Sequence, residues 1–317
     1  MILILSDDSD HSTTEVCFWL DRLNGNYRVI SSSDIYNQLT ISFPSSKRYL
    51  PFDSVYVIWN RRWSIGDFVP SEYTSNKEVD SDIRKNLISE LNTLDRYIWN
   101  NFDNAKWLDK FQDIYVNKLK ILDLAHQIGF KIPNGLLTTC KEELIKFKNK
   151  YSNIICKSIS DNIAIQTDEY FFYGYTNEIS DGILKELPDS FFPSFFQESI
   201  DKQVEIRVFY LFGDIYAMAI FSQTDEKTKA DFRRYNDKNP NRNVPFNLPT
   251  QIEDLIHEFM KRSGLNSASF DFILSNEDEY VFLEVNPVGQ FGMVSKPCNY
   301  NLEKKIAEKL IEYDCEK

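Results

Sequence analysis

The chain has 317 residues, 42% of them hydrophobic, with 24 Phe and 17 Tyr, which excludes a disordered protein and allows two or three subdomains around a substantial core. Its net charge of −12 argues against general binding to nucleic acid or to an anionic membrane, since both need a basic face. Five scattered cysteines without CxxC spacing read as free thiols of a cytoplasmic protein.

The opening MILIL (1–5) reads as a buried strand, because acids follow too soon for a signal peptide, and no apolar run approaches the roughly 18 to 20 residues of a membrane span. SDDSDHSTTEVCFWLDRL follows as a polar loop and a helix, NYRVISSSD as a second strand, and DSVYVIWNRRW (53–63) as another. Strands alternating with helical stretches predict a small parallel α/β domain. Residues 64–82 are polar and predict an exposed loop, and Ile83, Leu87, Leu91, Leu94 and Ile98 recur at helical spacing over 82–100. Residues 117–139 predict a helix ending near Gly129, a turn at Pro133 and a strand. KEELIKFKNKY predicts a further helix, capped from Thr138 or Thr139. NIICKSIS is a strand, 162–176 an aromatic hairpin, and 191–223 three strands in sequence. A polar loop over 224–248, the helix PTQIEDLIHEFMKRSGL, the strand pair SASFDFIL and EYVFLEVNP, and a final helix NLEKKIAEKLIEY complete the chain.

Within the last strand, Glu284 interrupts an apolar run and Asn286 follows two residues on. Alternation places Glu284 and Asn286 on one face, with Leu283 and Val285 on the other. Pro287 stops the ladder and Gly289 frees the exit. The loop SNEDE is of hairpin length, so the two strands should pair antiparallel and bring Asp271 beside Glu284 and Asn286. Two carboxylates and an amide oxygen form a hard donor set of the Mg²⁺ type; the competing reading is a solvated face of an edge strand. Lys157 stands in the apolar strand NIICKSIS, where it reaches either a phosphate or the solvent. Glu205 and Arg207 share one face of their strand and Val204, Ile206 and Val208 take the other; arginine suits bidentate contact with a phosphoryl or carboxylate group, or forms a surface ion pair. His11, His126 and His257 are far apart in sequence and suggest no zinc site.

The order Lys118, Lys157, QES (197–199), KQVEIRVF (202–209), FDF (270–272) and FLEVNPVGQF (282–291) resembles the ATP-grasp carboxylate–amine ligases. It is more closely similar to the graspetide synthetases, peptide maturases of the microviridin and grasp-with-spasm types. VYVIWNRRW looks like their WxRR strand end and KADFRRY like their DWR loop. The most specific element is FLEVNPVGQF, because LExNPxGQ is narrower than the general ExNxR of ATP-grasp enzymes. One departure concerns residues 158–169, which hold no glycine where many ATP-grasp enzymes wrap the phosphates with a glycine-rich loop.

The resemblance implies an α/β (α+β) ATP-grasp fold in three parts: an N-terminal pre-ATP-grasp parallel domain over 1–105, a central subdomain with a leader-binding hairpin over 106–190, and a C-terminal antiparallel-sheet subdomain with the metal site over 191–317. It implies ATP and Mg²⁺ as cofactors. Lys118 and Lys157 would meet the phosphates or the adenine pocket, and Gln197 and Glu198 the adenine or ribose, with Lys202 also on the nucleotide. Asp271, Glu284 and Asn286 would hold Mg²⁺. Arg207 would neutralise the transferring phosphoryl group, and Arg233 would contact the γ-phosphate or the substrate carboxylate. Glu205 and Asp231 are both candidates for a general base, and the sequence does not choose between them. The implied substrate is a ribosomally made precursor peptide with a leader and an acidic core. Arg61, Arg62 and Arg234 are candidates to meet the core, and Tyr170 and Phe172 to dock the leader unless those rings pack in a core. The implied reaction converts Glu or Asp side chains to acyl-phosphates, which Thr, Ser or Lys side chains then attack to close ester or amide rings. A homodimer is expected by the same resemblance. A ligase adding free amino acids to a peptide or protein, and a non-catalytic nucleotide- or peptide-binding module, remain open as alternatives.

Overall fold

The computed structural model describes residues 1–317 except 8, 44–47, 50–53, 103, 111–115, 161–163, 168–169, 175, 223–240 and 316–317. The chain divides into two compact units. The first comprises Met1–Tyr115, Leu265–Ser267 and Gln290–Lys317, and the second comprises Val116–Gly264 and Ala268–Gly289.

In the first unit, β1 (Ile2–Leu5) pairs in parallel with β2 (Tyr27–Ile30). A two-stranded antiparallel ribbon, β3 (Thr40–Ile41) with β4 (Arg48–Tyr49), precedes β5 (Val57–Asn60), which pairs in parallel with β1 and with β6 (Lys106–Leu108). The sheet order is β2-β1-β5-β6. All four residues of β1 and all four of β5 are buried, as a parallel strand covered on both faces requires. Asp10 caps the helix His11–Arg22 by accepting from Thr13 N at 2.9 Å. That helix packs on the C-terminal helix Leu302–Cys315. Segment 265–267 belongs here because Asp109, itself buried, accepts hydrogen bonds from the amides of Asn266 and Ser267 and from Ser267 Oγ.

The second unit holds two antiparallel sheets and a hairpin. Strands β7 (Gly135–Cys140), β8 (Ile154–Lys157), β11 (Asn177–Glu178) and β12 (Ser190–Glu198) form a sheet of order β11-β8-β12-β7, while β9 (Ala164–Gln166) and β10 (Phe171–Tyr173) pair only with each other. The second sheet contains β13 (Lys202–Leu211), β14 (Asp214–Phe221), β15 (Arg242–Phe246), β16 (Ser267–Ser275) and β17 (Tyr280–Asn286) in the order β15-β14-β13-β16-β17. One of its faces carries Phe270, Phe272 and Phe282, which pack with Phe130 and with Phe259 of the helix Thr250–Ser263. The helix Lys118–Ile128, ended by Gly129 at φ 109°, lies on β17.

Several elements differ from the sequence-based expectation for local reasons. The helix expected over 82–100 runs Lys77–Trp99, because Asn76 caps it by accepting from the amides of Glu78 and Val79. The helix Lys141–Tyr151 is capped by neither Thr138 nor Thr139; its cap is Cys140, whose amide donates to Thr138 Oγ1 at 3.0 Å. Strand β15 falls within the expected loop 224–248, and its Pro245 is tolerated because the strand lies at a sheet edge. Among the described residues no helix is long and apolar enough to cross a membrane.

The first unit also encloses a carboxyl group that forms no ion pair among the described residues. Asp95 is fully buried among Trp63, Ile98 and Trp99 and accepts from Tyr36 OH on one oxygen and from Trp63 Nε1 at 2.7 Å on the other. Burial raises its pKa, and the hydrogen bonds from Tyr36 and Trp63 only partly oppose that rise. A carboxyl whose folded pKa lies above its unfolded value stabilises the fold fully below about pH 4, and that contribution is lost as pH rises through the folded pKa. Asp95→Asn should therefore be more stable relative to the wild type at pH 8 than at pH 4 in urea unfolding; parallel pH profiles for the two proteins would contradict the assignment.

Candidate functional site

In the second unit, alternation along β8 and β12 sorts residues onto two faces. Ile154 and Phe196 join Leu144 and Ile179 in a core. Lys157, Phe195 and Gln197 take the opposite face, where Phe195 pairs with Lys157 and Gln197 with Ile155. That face lines a cleft, whose other walls are Lys118 and Leu119 at the start of the helix Lys118–Ile128 and Leu283, Glu284 and Val285 of β17. Two lysines and a helix N-terminus at one cleft make an environment suited to an anion. Gln197 is buried and its Nε2 makes no hydrogen bond among the described residues. Glu198 also has its carboxylate engaged: Oε1 accepts from Asn134 N and Nδ2, both at 2.9 Å.

On the second sheet the register opposes Ser269 to Asn286 and Asp271 to Glu284, so all four side chains share one face. The next pair is Phe272 with Phe282, which leaves Leu283 as an extra residue in a β-bulge. The regular alternation expected for Leu283 therefore fails at this point. The bulge has a physical reason: two residues apart in an unbroken strand, Phe282 and Glu284 would share a face, whereas Phe282 is packed in the aromatic core. Gly289 also differs from expectation. A β-carbon there would stand 2.0 Å from Ser269 Oγ, so glycine serves the close approach of the exit segment to β16 rather than backbone freedom.

The neighbouring strand β13 adds charge to this face. Arg207 Nε lies 3.7 Å from Asp271 Oδ1, an ion pair too long to be a hydrogen bond, and that buried Nε makes none. Glu205 Oε1 accepts from Lys202 Nζ at 2.6 Å and from Ser222 Oγ at 2.8 Å. Lys202, expected on the nucleotide, is thus committed to Glu205 in a largely buried pair. Asn286 Nδ2 is 3.5 Å from Glu284 Oε1. Among the described residues no group of three or more His, Cys, Asp or Glu could hold a metal; the set here is two carboxylates and an amide.

The two arginines of WNRRW, in the first unit, separate. Arg61 is buried, donates from Nε to Asp10 Oδ2 at 3.2 Å and lies over the Phe291 ring at 5.3 Å. Arg62 pairs with Asp10 Oδ1 at 3.7 Å and remains partly open to solvent. Burial pushes the Asp10 carboxyl up, but hydrogen bonds from Thr13 and the charges of Arg61 and Arg62 outweigh it and hold the group below its usual range. On the hairpin of the second unit, Tyr170, Phe171 and Phe172 are 64%, 65% and 55% exposed, so a core does not account for them. Asp231, Arg233 and Arg234 lie outside the described residues.

A family model described as the RimK-like ATP-grasp domain matches residues 116–310. Among solved structures, the Chryseobacterium gregarium RiPP-associated ATP-grasp ligase, in complex with ADP and a leader and core peptide, is 25% identical with a TM-score of 0.78, over 99% of this chain and 96% of that one. Macrocyclase MdnC from Microcystis aeruginosa MRC, bound with precursor peptide MdnA, is 24% identical with a TM-score of 0.82, over 98% and 99%. ATP-grasp ligase PsnB, complexed with a phosphomimetic variant of its minimal precursor, Mg and ADP, is 16% identical with a TM-score of 0.78, over 99% and 98%. At such identities the last two show likeness of fold. No curated protein matches the sequence.

The Lys202–Glu205 pair carries a stability prediction of its own. Lys202→Met strands a largely buried carboxylate and should cost about 3 kcal/mol in urea unfolding, with Lys202→Met/Glu205→Gln recovering most of it. A single-variant loss no larger than that of an exposed lysine would show the pair to be solvated.

Proposed function

The chain belongs to the RimK-like ATP-grasp family, and from that premise we propose that it is a peptide macrocyclase of the graspetide type, closing side-chain rings in a ribosomally made precursor. It is an ATP-dependent ligase that modifies a peptide. The observation that carries the finer reading is the shared face of Asp271, Glu284 and Asn286 beside Arg207, with Glu284 opening onto the same cleft as Lys118 and Lys157. The Chryseobacterium gregarium ligase, bound with ADP and a leader and core peptide, supports the substrate class. The sheets β11-β8-β12-β7 and β15-β14-β13-β16-β17 are then the central and C-terminal parts of the ATP-grasp fold.

The donor set fits Mg²⁺: two carboxylates and an amide on one face are hard oxygen ligands, with Arg207 Nε 3.7 Å from Asp271 Oδ1. Asp271, Glu284 and Asn286 are the residues to hold it, and bound there it would neutralise charge on the β- and γ-phosphates. Lys118 and Lys157, which line the same cleft as Glu284, bind the phosphates. Arg207 balances the negative charge of the phosphoryl group in transit, and Gln197 meets the base. A Glu or Asp carboxylate of the peptide attacks the γ-phosphorus and releases ADP, leaving an acyl-phosphate. A Thr or Ser hydroxyl or a Lys amine then attacks the acyl carbon, loses its proton and expels phosphate. Such chemistry rests on positioning and charge balance more than on a protein nucleophile. Glu205, tied to Lys202 and Ser222, supports the site as a fixed anion.

The exposed rings Tyr170 and Phe172, 6.1 Å apart, are the leader-docking surface in this reading. Arg62, the open member of its pair, is a candidate to meet an acidic core; Arg233 and Arg234 are separate candidates on the family resemblance alone.

The decisive experiment incubates the protein with ATP, Mg²⁺ and an acidic precursor peptide and reads product mass. A loss of one water per ring is expected, with one ADP released per ring; added amino-acid mass would assign a ligase for free amino acids instead. Glu284→Ala should lower turnover more than about 100-fold while peptide binding survives. Unchanged ADP release in that variant would remove the metal role.

A further inference from the structure

Gly135 stands where a strand has little use for glycine. It lies inside the edge strand β7, its φ is not positive, and no turn requires it. Glycine in a strand weakens pairing and marks a place where another group approaches closely. Here that group is the ring of Phe195: a β-carbon at 135 would stand 2.9 Å from Cε2 and 3.0 Å from Cζ.

The register shows what the vacancy serves. β12 pairs with β8 on one side and β7 on the other, giving one row Lys157–Phe195–Leu137 and the next Ile155–Gln197–Gly135. Residues of the two rows share a face. Beside Gln197, the missing side chain of Gly135 leaves the space that the Phe195 ring occupies. Phe195, Gln197 and Lys157 then form one continuous patch of the cleft wall. The patch combines an aromatic surface with a buried amide whose Nε2 has no hydrogen bond among the described residues. An aromatic heterocycle matches both: its face lies against the ring and its lone pairs or N–H groups meet the amide. Phosphates match neither; they match the lysines.

We propose that Gly135 is a specificity-determining position, seating Phe195 so that Phe195 and Gln197 together hold the base of the nucleotide. This deepens the reading of the cleft as a nucleotide site and rests on it. A side chain at 135 pushes the ring out of its seat and disturbs base binding, while the lysines continue to meet phosphate.

The test measures calorimetric affinity of the full chain for ATP, ADP and inorganic triphosphate, each with Mg²⁺. Gly135→Val should weaken ATP and ADP about tenfold and leave triphosphate within about twofold. Gly135→Ala should weaken ATP and ADP about threefold, and Phe195→Leu, which removes the aromatic surface itself, should weaken both at least as much while leaving triphosphate within about twofold. Because alanine is the milder change, it carries the test if the valine variant fails to fold. ATP affinity unchanged in a folded Gly135→Ala protein, or triphosphate affinity lost in parallel with ATP, overturns the role of Gly135 alone. Wild-type protein that binds none of the three probes overturns the nucleotide reading of the cleft together with it.

Discussion

Charge balance on one face of β13, β16 and β17 is the constraint around which the second unit is organised. Glu205, Asp271 and Glu284 place three carboxylates on adjacent strands, largely removed from bulk water, and Lys202 and Arg207 stand among them. Carboxylates crowded in this way are costly unless cations or hydrogen-bond donors share the space. Lys202 and Ser222 meet that cost at Glu205, both on the same oxygen. Arg207 contributes at Asp271 from 3.7 Å.

The cleft repeats the logic with opposite sign. Lys118 and Lys157, from a helix start and a strand end, line the same cleft as Glu284. A polyanion there would meet both lysines and a carboxylate set, which calls for divalent cations. The aromatic core behind β16 and β17 gives these groups a rigid backing. Phe259 of a helix, Phe130 of a connection and three strand phenylalanines interlock there at centroid distances of 5.4 to 6.4 Å.

Much of this was legible from period and residue type. A lysine in NIICKSIS and a glutamate in VFLEVNP announce themselves because nothing apolar explains them, and alternation assigns Asp271, Glu284 and Asn286 to one face. Their order along the chain carried the family. What stayed hidden depended on contacts distant in sequence or on a break in period. The pairing of Lys202 with Glu205 drew on Ser222, which arrives from the next strand. Arg61 and Arg62 are equivalent as letters, yet one is stacked on Phe291 and the other is partly open. Gly135 carries no signal of its own in the sequence, and its meaning came from a ring sixty residues later.

The extra residue at Leu283 has a consequence for how this segment can change over evolutionary time. Upstream of it, odd and even positions of β17 are assigned to core and site one way; downstream, the assignment is inverted. Conservative swaps of apolar residues on either side leave that inversion intact. Loss or gain of a single codon between Phe282 and Glu284 does not, for it would turn either the phenylalanine out of its cluster or the acidic group into it. The segment should therefore drift by substitution and resist drift in length.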